Sequence, residues 1–324
     1  MTTTDNVITN TGTITPTGDE TNVTYGVSAS SSQVAGLYKT TLVYTATTID
    51  GDPTPSVPEF FTATYMQDMT PSICSSATTP SVDATVSDTT GEYDGDTNYV
   101  PETTLIDYRG TDGTGTASSP ATGSNVRSYT VRKLADGNCW MSENLKLTLS
   151  TSHSYEVGTF DGGTASWTPN EDTSSTNPYN VAISQNTIAN DSTTGEWYYP
   201  WYAATAGQGT NTENPTIAQS ICPKGWKLPN GGANAAPSFY SIMHTYSATT
   251  TDKIKAAPLS YTAVGAYSSG SLDVDGTSFG LYWSASSLNS NGSLAMIFNT
   301  SNVVLLGRDK GTGFSVRCVA IPSN

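Results

Sequence analysis

The stretch Phe279-Gly-Leu-Tyr-Trp-Ser-Ala-Ser286, continued by Gly313-Phe-Ser-Val-Arg-Cys-Val319, predicts a β-meander around which the rest of the chain is built. Asn291-Gly292 is a strong two-residue hairpin signal, because both turn positions of such a hairpin need a positive φ. After this turn the residues alternate in hydrophobicity, which is typical of a strand. We therefore expect strands at 282–288, 294–299, 303–306 and 314–319, with a loop at 307–312.

Large apolar side chains should frame this meander and keep it rigid. Between them, serine, asparagine and small apolar residues alternate without a catalytic group. This pattern is typical of a binding surface displayed on a rigid frame. The framing residues are Tyr282, Trp283, Phe314, Val316 and Cys318.

The composition favours a β-rich extracellular protein with long polar loops. Of 324 residues, 13 are Lys or Arg and 28 are Asp or Glu, which gives a net charge of −15. Nucleic acids and anionic membrane surfaces are therefore poor partners, because both would be repelled. Only 35% of residues are hydrophobic and 13% charged, and neither value suits a disordered polyelectrolyte.

The sequence has no apolar run long enough to span a membrane, which would need ~18 residues. Met1-Thr2-Thr3-Thr4 has neither the basic nor the apolar region of a signal peptide. We interpret Met1 as an initiator added to an excised fragment of a longer surface protein. The alternative is a cytoplasmic protein that starts at this residue.

The four cysteines are far apart in the sequence and include no C-x-x-C pair, so a structural zinc site is not expected. Two disulfides in an oxidising compartment are the preferred interpretation. Three connectivities are possible, of which we favour Cys74–Cys139 with Cys222–Cys318. Buried free thiols are the alternative.

Proline spacing divides the chain. Residues 1–50 contain β-rich runs that are too short for a full sandwich, and they predict a stalk-like or hairpin segment. Residues 51–59 contain three closely spaced prolines and predict a linker. Residues 60–324 form the main domain, with long polar loops at about 75–126 and 150–194.

Few residues offer chemistry. A calcium loop would need acidic residues at a fixed spacing, which is absent at Asp94-Gly-Asp96 and at the pair Asp273 and Asp275. No metal or cofactor is therefore expected, and a bound calcium ion is kept as the alternative. His153 and His244 should be solvated rather than catalytic. The aromatic run 196–204 is either a sugar-stacking platform or, as we favour, core and loop anchoring.

Six motifs occur in an order that resembles the Fibrobacter-type major paralogous (FISUMP) domain of bacterial surface and secreted proteins. The resemblance covers about residues 60–321. The motifs are Tyr129-Thr-Val-Arg-Lys-Leu134, Gly137-Asn-Cys-Trp-Met-Ser-Glu-Asn-Leu145, Trp201-Tyr-Ala-Ala204, Cys222-Pro-Lys-Gly-Trp-Lys-Leu-Pro229, Tyr282-Trp-Ser-Ala-Ser286 and Gly313-Phe-Ser-Val-Arg-Cys-Val319.

This resemblance implies an α+β, C-type-lectin-like fold with long loop insertions, related to that of formylglycine-generating enzymes. Variable proteins of diversity-generating retroelements share the fold, and residues 281–310 resemble their diversified, ligand-contacting segment. The chain lacks the paired C-terminal cysteines of the oxidase, and it carries two long insertions. Both departures argue against a transferred catalytic activity.

The preferred function is a non-catalytic adhesin or receptor-like module at the cell surface that binds a protein or glycan ligand. The first alternative is a structural tip or stalk domain without a ligand. An oxidase, or a glycosidase using Glu143 and Glu196, is less favoured, since no spacing places two carboxylates in one cleft. The predicted ligand contacts are Leu281, Ser286, Ser287, Asn289, Asn291, Asn299, Ser301, Asn302, Arg308 and Asp309.

Overall fold

The computed structural model describes the main domain from Pro58 onward. The described residues are 58–86, 97–169, 195–208, 217–233, 237–268, 271–272 and 278–322. The chain divides into two units, Met1–Pro53 and Thr54–Asn324, and every described residue belongs to the second. The predicted β-rich segment 1–50 and most of the predicted linker 51–59 lie outside the described residues.

The described residues form a mixed α+β structure dominated by short strands, mostly antiparallel, as predicted at this coarse level. The helices are α1 Glu59–Thr62, α2 Pro71–Ser76, α3 Trp201–Ala204, α4 Phe239–Thr245 and α5 Thr251–Lys255. The strands are β1 Thr85–Val86, β2 Tyr99–Val100, β3 Glu102–Asp107, β4 Arg127–Lys133, β5 Cys139–Met141, β6 Tyr155–Thr159, β7 Thr164–Trp167, β8 Gln219–Ser220, β9 Trp226–Lys227, β10 Tyr267–Ser268, β11 Ser271–Leu272, β12 Gly280–Ser287, β13 Gly292–Phe298, β14 Val303–Asp309 and β15 Val319–Ala320.

A five-stranded sheet, ordered β3-β4-β5-β15-β9, ties the C-terminus to the middle of the chain. Val319 pairs with Trp140 on one side and with Lys227 on the other. The Gly-Trp-Lys-Leu-Pro motif and the Arg-Cys-Val motif therefore share one interior. The side chains of Trp140 and Trp226 are almost completely buried there.

Two disulfides staple this frame with the connectivity favoured from the sequence. Cys74 on α2 is bonded to Cys139 at the start of β5. Cys222 is bonded to Cys318, one residue before β15. The four half-cystines are buried, so the bridges lie inside the core and not at its edge.

Strands β12, β13 and β14 form the predicted meander as an antiparallel sheet in that order. Leu281 pairs with Ile297, and Ile297 pairs with Val304, which fixes the register across all three strands. Strand β14 continues to Asp309, so the predicted loop 307–312 was too long at its start. It continues because the amide of Lys310 still bonds the carbonyl of Asn291 in the neighbouring strand connection.

The predicted Asn291-Gly292 two-residue turn was wrong. The connection is longer, and the amides of Leu288 and Asn289 both donate to the carbonyl of Gly292. The side-chain oxygen of Asn289 accepts the amides of Asn291 and Gly292, at 2.9 and 2.7 Å. This asparagine closes the loop from inside, and Gly292 itself begins β13.

The predicted closing strand 314–319 is split between two sheets. Ser315 bridges Tyr282 on β12 and Phe314 bridges Tyr199, whereas only Val319–Ala320 enter the five-stranded sheet. The five predicted framing residues are each at most 1% exposed, so the frame is confirmed.

Strands β12 and β13 of the meander are buried on both faces, whereas β14 is mostly half-buried or exposed. Trp283, Ala295 and Ile297 belong to one hydrophobic cluster of the core. Tyr282, Met296 and Phe298 belong to a second cluster, which includes α4 and α5 residues. The sheet therefore separates two cores.

Of the predicted polar excursion 150–194, the structure describes residues 150–169. Strands β6 and β7 form a hairpin in which Tyr155, Val157 and Trp167 are buried. Among the described residues, no helix has the length and apolar character needed to cross a membrane.

Candidate functional site

A groove of about 530 Å³ runs along the face of the β12–β13–β14 sheet that carries Leu281. We call it the meander groove. Its floor comes from all three strands, and one wall comes from the segment before β10 and from the residues around Phe314. Its lining residues are Gly265, Ala266, Ser268, Phe279, Leu281, Ile297, Asn299, Asn302, Val304, Leu306, Arg308, Thr312 and Phe314.

The floor of the groove is apolar and graded in exposure. Leu281 and Ile297 are 9% and 5% exposed, because the rest of each side chain packs into the core. Phe279 and Leu306 stand at the rim and are 38% and 45% exposed. Together with the partly exposed Val304 and Ala266 they form an apolar patch, and such a patch is where another molecule can bury surface.

Polar groups stand at two ends of the groove. Arg308 lies at the β14 end, where its Nη1 donates 2.9 Å to the carbonyl of Gly307. Within the described residues no carboxylate forms an ion pair with it. Asn299 and Asn302 line the other end, at the turn between β13 and β14.

Four of the ten predicted contact residues line this groove, namely Leu281, Asn299, Asn302 and Arg308. They come together because alternate residues of a strand point to one face, and the register places Leu281, Ile297 and Val304 side by side. Asn299 also has a structural task, since its side-chain oxygen accepts the amides of Ser301 and Asn302.

The other six predicted residues lie elsewhere on the meander. Ser301 is exposed in the turn beside the groove. The remaining five, Ser286, Ser287, Asn289, Asn291 and Asp309, gather at the opposite end of the sheet around the β12–β13 connection. The ten residues thus occupy both ends of the meander and do not form a single patch.

Several of these residues build the loop that holds them. The hydroxyl of Ser286 accepts the amide of Gly231 at 2.9 Å, and Ser287 donates to the carbonyl of Asn289. Below the loop, Lys310 donates to the same Asn289 carbonyl at 2.9 Å and lies 4.4 Å from the Trp201 ring centroid. Burial lowers the pKa of Lys310 from its ordinary value.

A second polar cluster lies inside the domain around Asn144. Its side-chain nitrogen donates to Glu196 and Thr262, both at 3.1 Å, and its oxygen accepts from Arg317 at 3.0 Å. Burial raises the pKa of Glu196, and the nearby Lys146 offsets part of this shift. These groups connect the aromatic run to the closing segment.

The candidates for catalysis are held by structural bonds. Glu143 accepts the amide and hydroxyl of Thr130, at 3.1 and 2.9 Å. His153 bonds the carbonyl of Gly113 and packs edge-on against Tyr155, whereas His244 is exposed and stacks on Tyr240. All four cysteines are disulfide-bonded, so the oxidised chain has no free thiol.

The aromatic run serves the core, as favoured from the sequence. Tyr198, Tyr199 and Trp201 are fully buried. The indole of Trp201 donates to the carbonyl of Ser284 at 2.7 Å, and Tyr199 bonds the backbone near Leu147. Trp197 and Tyr202 are only partly buried.

The candidate calcium loops at Asp94-Gly-Asp96 and at Asp273 and Asp275 lie outside the described residues. Among the residues that are described, no group of three or more histidine, cysteine or acidic side chains is placed to hold a metal ion.

Sequence reasoning missed most of the groove's apolar lining. Phe279 and Leu306 were visible as large apolar residues beside polar ones, and alternation along β14 would have placed Val304, Leu306 and Arg308 on one face. The wall at 265–268 carries no such signal, because it reaches the groove through tertiary packing.

Comparisons with known proteins identify no relative. No family model matches the chain, and neither the curated proteins nor the solved structures contain a significant match.

Proposed function

We propose that this chain is a non-catalytic binding module of the cell surface or extracellular space, and that the meander groove is its ligand site. The observation that carries the proposal is the apolar floor between the exposed rim residues Phe279 and Leu306. It is flanked by two asparagine amides and by Arg308, with which no carboxylate of the described residues forms an ion pair. Binding pockets commonly combine a mainly apolar lining with a few polar groups that orient the ligand.

The frame behind the groove supports this role. Two buried disulfides and the cores on the two faces of the sheet hold the meander in place, so residues at the groove rim can change with little cost to folding. Sites on a rigid scaffold also lose little conformational entropy when they bind. A disulfide-stapled domain suits an oxidising compartment outside the cell.

The resemblance to the FISUMP domain and to retroelement-diversified variable proteins supports the same proposal. In that interpretation residues 281–310 form the variable segment, and they include β13, β14 and part of β12. Sequencing related loci tests it. Variation concentrated at groove positions such as Leu306 and Arg308 is expected, and variation spread evenly over 60–324 would contradict it.

A protein and glycan array tests the binding function directly. The full chain is compared with Leu306→Asp, which places a charge at the groove rim, and with Val126→Asp, which changes a similarly exposed apolar residue outside the groove lining. We expect array ligands that bind to the wild type and to Val126→Asp but not to Leu306→Asp. All three proteins should be folded.

Two results would contradict the proposal. Failure of the wild type to retain any array component would favour the alternative of a structural tip or stalk domain. Equal binding by Leu306→Asp and Val126→Asp would place the ligand outside the meander groove.

A further inference from the structure

Strand β14 is the outer strand of the meander sheet. Its pairing partner on one side is β13, and no strand of the described part of the chain pairs with its other side. An outer strand presents a row of backbone donors and acceptors to whatever lies beside it.

The hydrogen bonds at the ends of β14 show which backbone groups point outward. Asn299 donates to the carbonyl of Asn302, and Lys310 donates to that of Asn291, so the even-numbered residues bond to β13. The amide of Val303 points the other way and reaches the carbonyl of Thr249 at 3.1 Å. The backbone groups of Leu305 and Gly307 therefore point outward.

This outward edge is unprotected along its middle. Proteins usually guard an outer strand with lysine, proline, a bulge or a covering segment. Residues 303–306 read Val-Val-Leu-Leu, with no charge and no proline. Within the described residues no backbone bond reaches the amides of Leu305 and Gly307, and Thr249 covers only the Val303 end. The Gly307 carbonyl accepts from Arg308 Nη1 at 2.9 Å, so an added strand would have to replace this bond with its own amide and offer Arg308 a carboxylate instead.

The side chains beside this edge belong to the meander groove. Val304, Leu306 and Arg308 project from β14 onto the groove face, and the groove lining includes no described residue beyond β14. On the opposite face, Leu288 lies against Gly307 and is also exposed. A strand added beside β14 would supply the wall that the groove lacks on this side.

The geometry points to strand addition at β14 as the way this protein binds its ligand: an extended segment of another protein pairs with Leu305 and Gly307 and places an acidic side chain against Arg308. This inference rests on the proposed function and narrows its ligand to a polypeptide. Backbone bonds give such a complex its affinity, and alternate side chains give it specificity.

Charge favours a foreign segment over a second copy of this chain. Each copy carries a net charge of −15, so two copies repel one another. Arg308 is a local cation at the edge, and it complements a carboxylate on the incoming strand.

A designed heptapeptide, Thr-Glu-Thr-Val-Thr-Val-Thr, tests the pairing. Laid antiparallel beside residues 303–309, it places its glutamate across from Arg308 and its valines across from Leu306 and Val304. Its third and fifth threonines then face Gly307 and Leu305. We expect fluorescence anisotropy to show saturable binding of the labelled peptide to the full chain.

N-methylation separates backbone pairing from side-chain contact. Methylating the amides of the third and fifth threonines removes two hydrogen bonds to β14 and should weaken binding by about tenfold or more. Methylating the glutamate and first valine, whose amides point away from β14, is the matched control and should change binding little.

Variants of the protein repeat the test from the other side. Leu305→Pro removes an outward amide without removing a bond to β13, and Leu305→Ala controls for the lost side chain. Binding should fall about tenfold in the proline variant relative to the alanine variant. Arg308→Glu should not bind this peptide but should bind the analogue in which lysine replaces the peptide's glutamate.

Several results would overturn the inference. The first is that the peptide shows no saturable binding to the wild type. The second is that both methylation patterns weaken peptide binding equally. The third is that the wild type is a dimer and Leu305→Pro is a monomer, which would identify a second copy of the chain as the occupant of the β14 edge. If array ligands are lost with Leu306→Asp but kept by Leu305→Pro, the groove remains the site and strand addition is wrong. The peptide measurement on wild type stands even if Leu305→Pro fails to fold.

Discussion

The guanidinium carbon of Arg317 lies 4.0 Å from the ring centroid of Tyr261 and 5.4 Å from that of Tyr282. The same guanidinium donates to the carbonyls of Leu259 and Ser260, at 2.9 and 3.1 Å. Arg317 thus connects β12, through Tyr282, to the chain that follows α5. Its side chain is 1% exposed, so these contacts are made without competition from water.

Replacing Arg317 should destabilise the domain strongly. Arg317→Met keeps an apolar stem but leaves the buried Leu259 carbonyl, the part-buried Ser260 carbonyl and the Asn144 oxygen without this donor, which should cost on the order of 3 kcal/mol of unfolding free energy. Urea unfolding measures the loss. Arg317→Lys, which keeps the charge but not the planar fork, should be intermediate. Equal stability of Arg317→Met and wild type would show that the guanidinium contributes little.

Gly280, the first residue of β12, should not tolerate a side chain. A Cβ at this position would overlap the Phe298 ring, which stacks on Tyr282 with centroids 6.2 Å apart. Gly280→Ala should therefore cost about 2 kcal/mol through overpacking. Gly232→Ala is the matched control, because an added Cβ there has no heavy atom within 4 Å. Chemical denaturation of both variants compares them, and an equally stable Gly280→Ala would contradict the tight packing.

The sequence predicted the meander and its frame because their signals are local. Alternation places Met296 and Phe298 on one face regardless of the rest of the fold. Large aromatic residues such as Trp283 carry so much apolar surface that residue type alone predicts their burial in the core. The same reasoning predicted the rough course of β12, β13 and β14 and the burial of the five framing residues.

The errors arose where a specific side-chain contact or the packing of distant segments decides the structure. The prediction of a two-residue turn at Asn291-Gly292 was wrong because the Asn289 side chain accepts hydrogen bonds from two backbone amides. Turn propensities do not take this interaction into account. The groove was missed because its wall at 265–268 lies close to the meander only after folding. A linear sequence gives residue types, but not which distant segment completes a cavity.

Each disulfide should contribute about the same stability. Closing a loop lowers the entropy of the unfolded chain, and this gain grows only with the logarithm of loop length. The sequence separations are 65 for Cys74–Cys139 and 96 for Cys222–Cys318. Replacing either pair with alanine should lower the unfolding free energy by about 4 kcal/mol, with a difference of only a few tenths between the pairs.

Urea unfolding of the two double-alanine variants gives this comparison. A loss much larger for Cys222→Ala with Cys318→Ala would mean that the bridge also holds β15 in the native sheet. A loss below about 1 kcal/mol for both would contradict the entropic account.

The buried carboxyl of Glu196 should make stability depend on pH. Burial raises its pKa above the ordinary value of 4.5, so the protonated form is favoured in the folded state. Its contribution to stability is therefore fully present below pH 4.5 and is lost as the pH rises through the raised pKa of the folded state. Glu196→Gln cannot ionise, and it approximates the protonated acid in shape.

We accordingly expect wild type and Glu196→Gln to have similar unfolding free energies at pH 4, with the variant relatively more stable at pH 7. Urea titrations across this range on both proteins measure the difference, and the acid values serve as the internal control. A difference that instead moves in favour of wild type as the pH rises would mean that the ion pair with Lys146, at 3.7 Å, outweighs the cost of burying the charge.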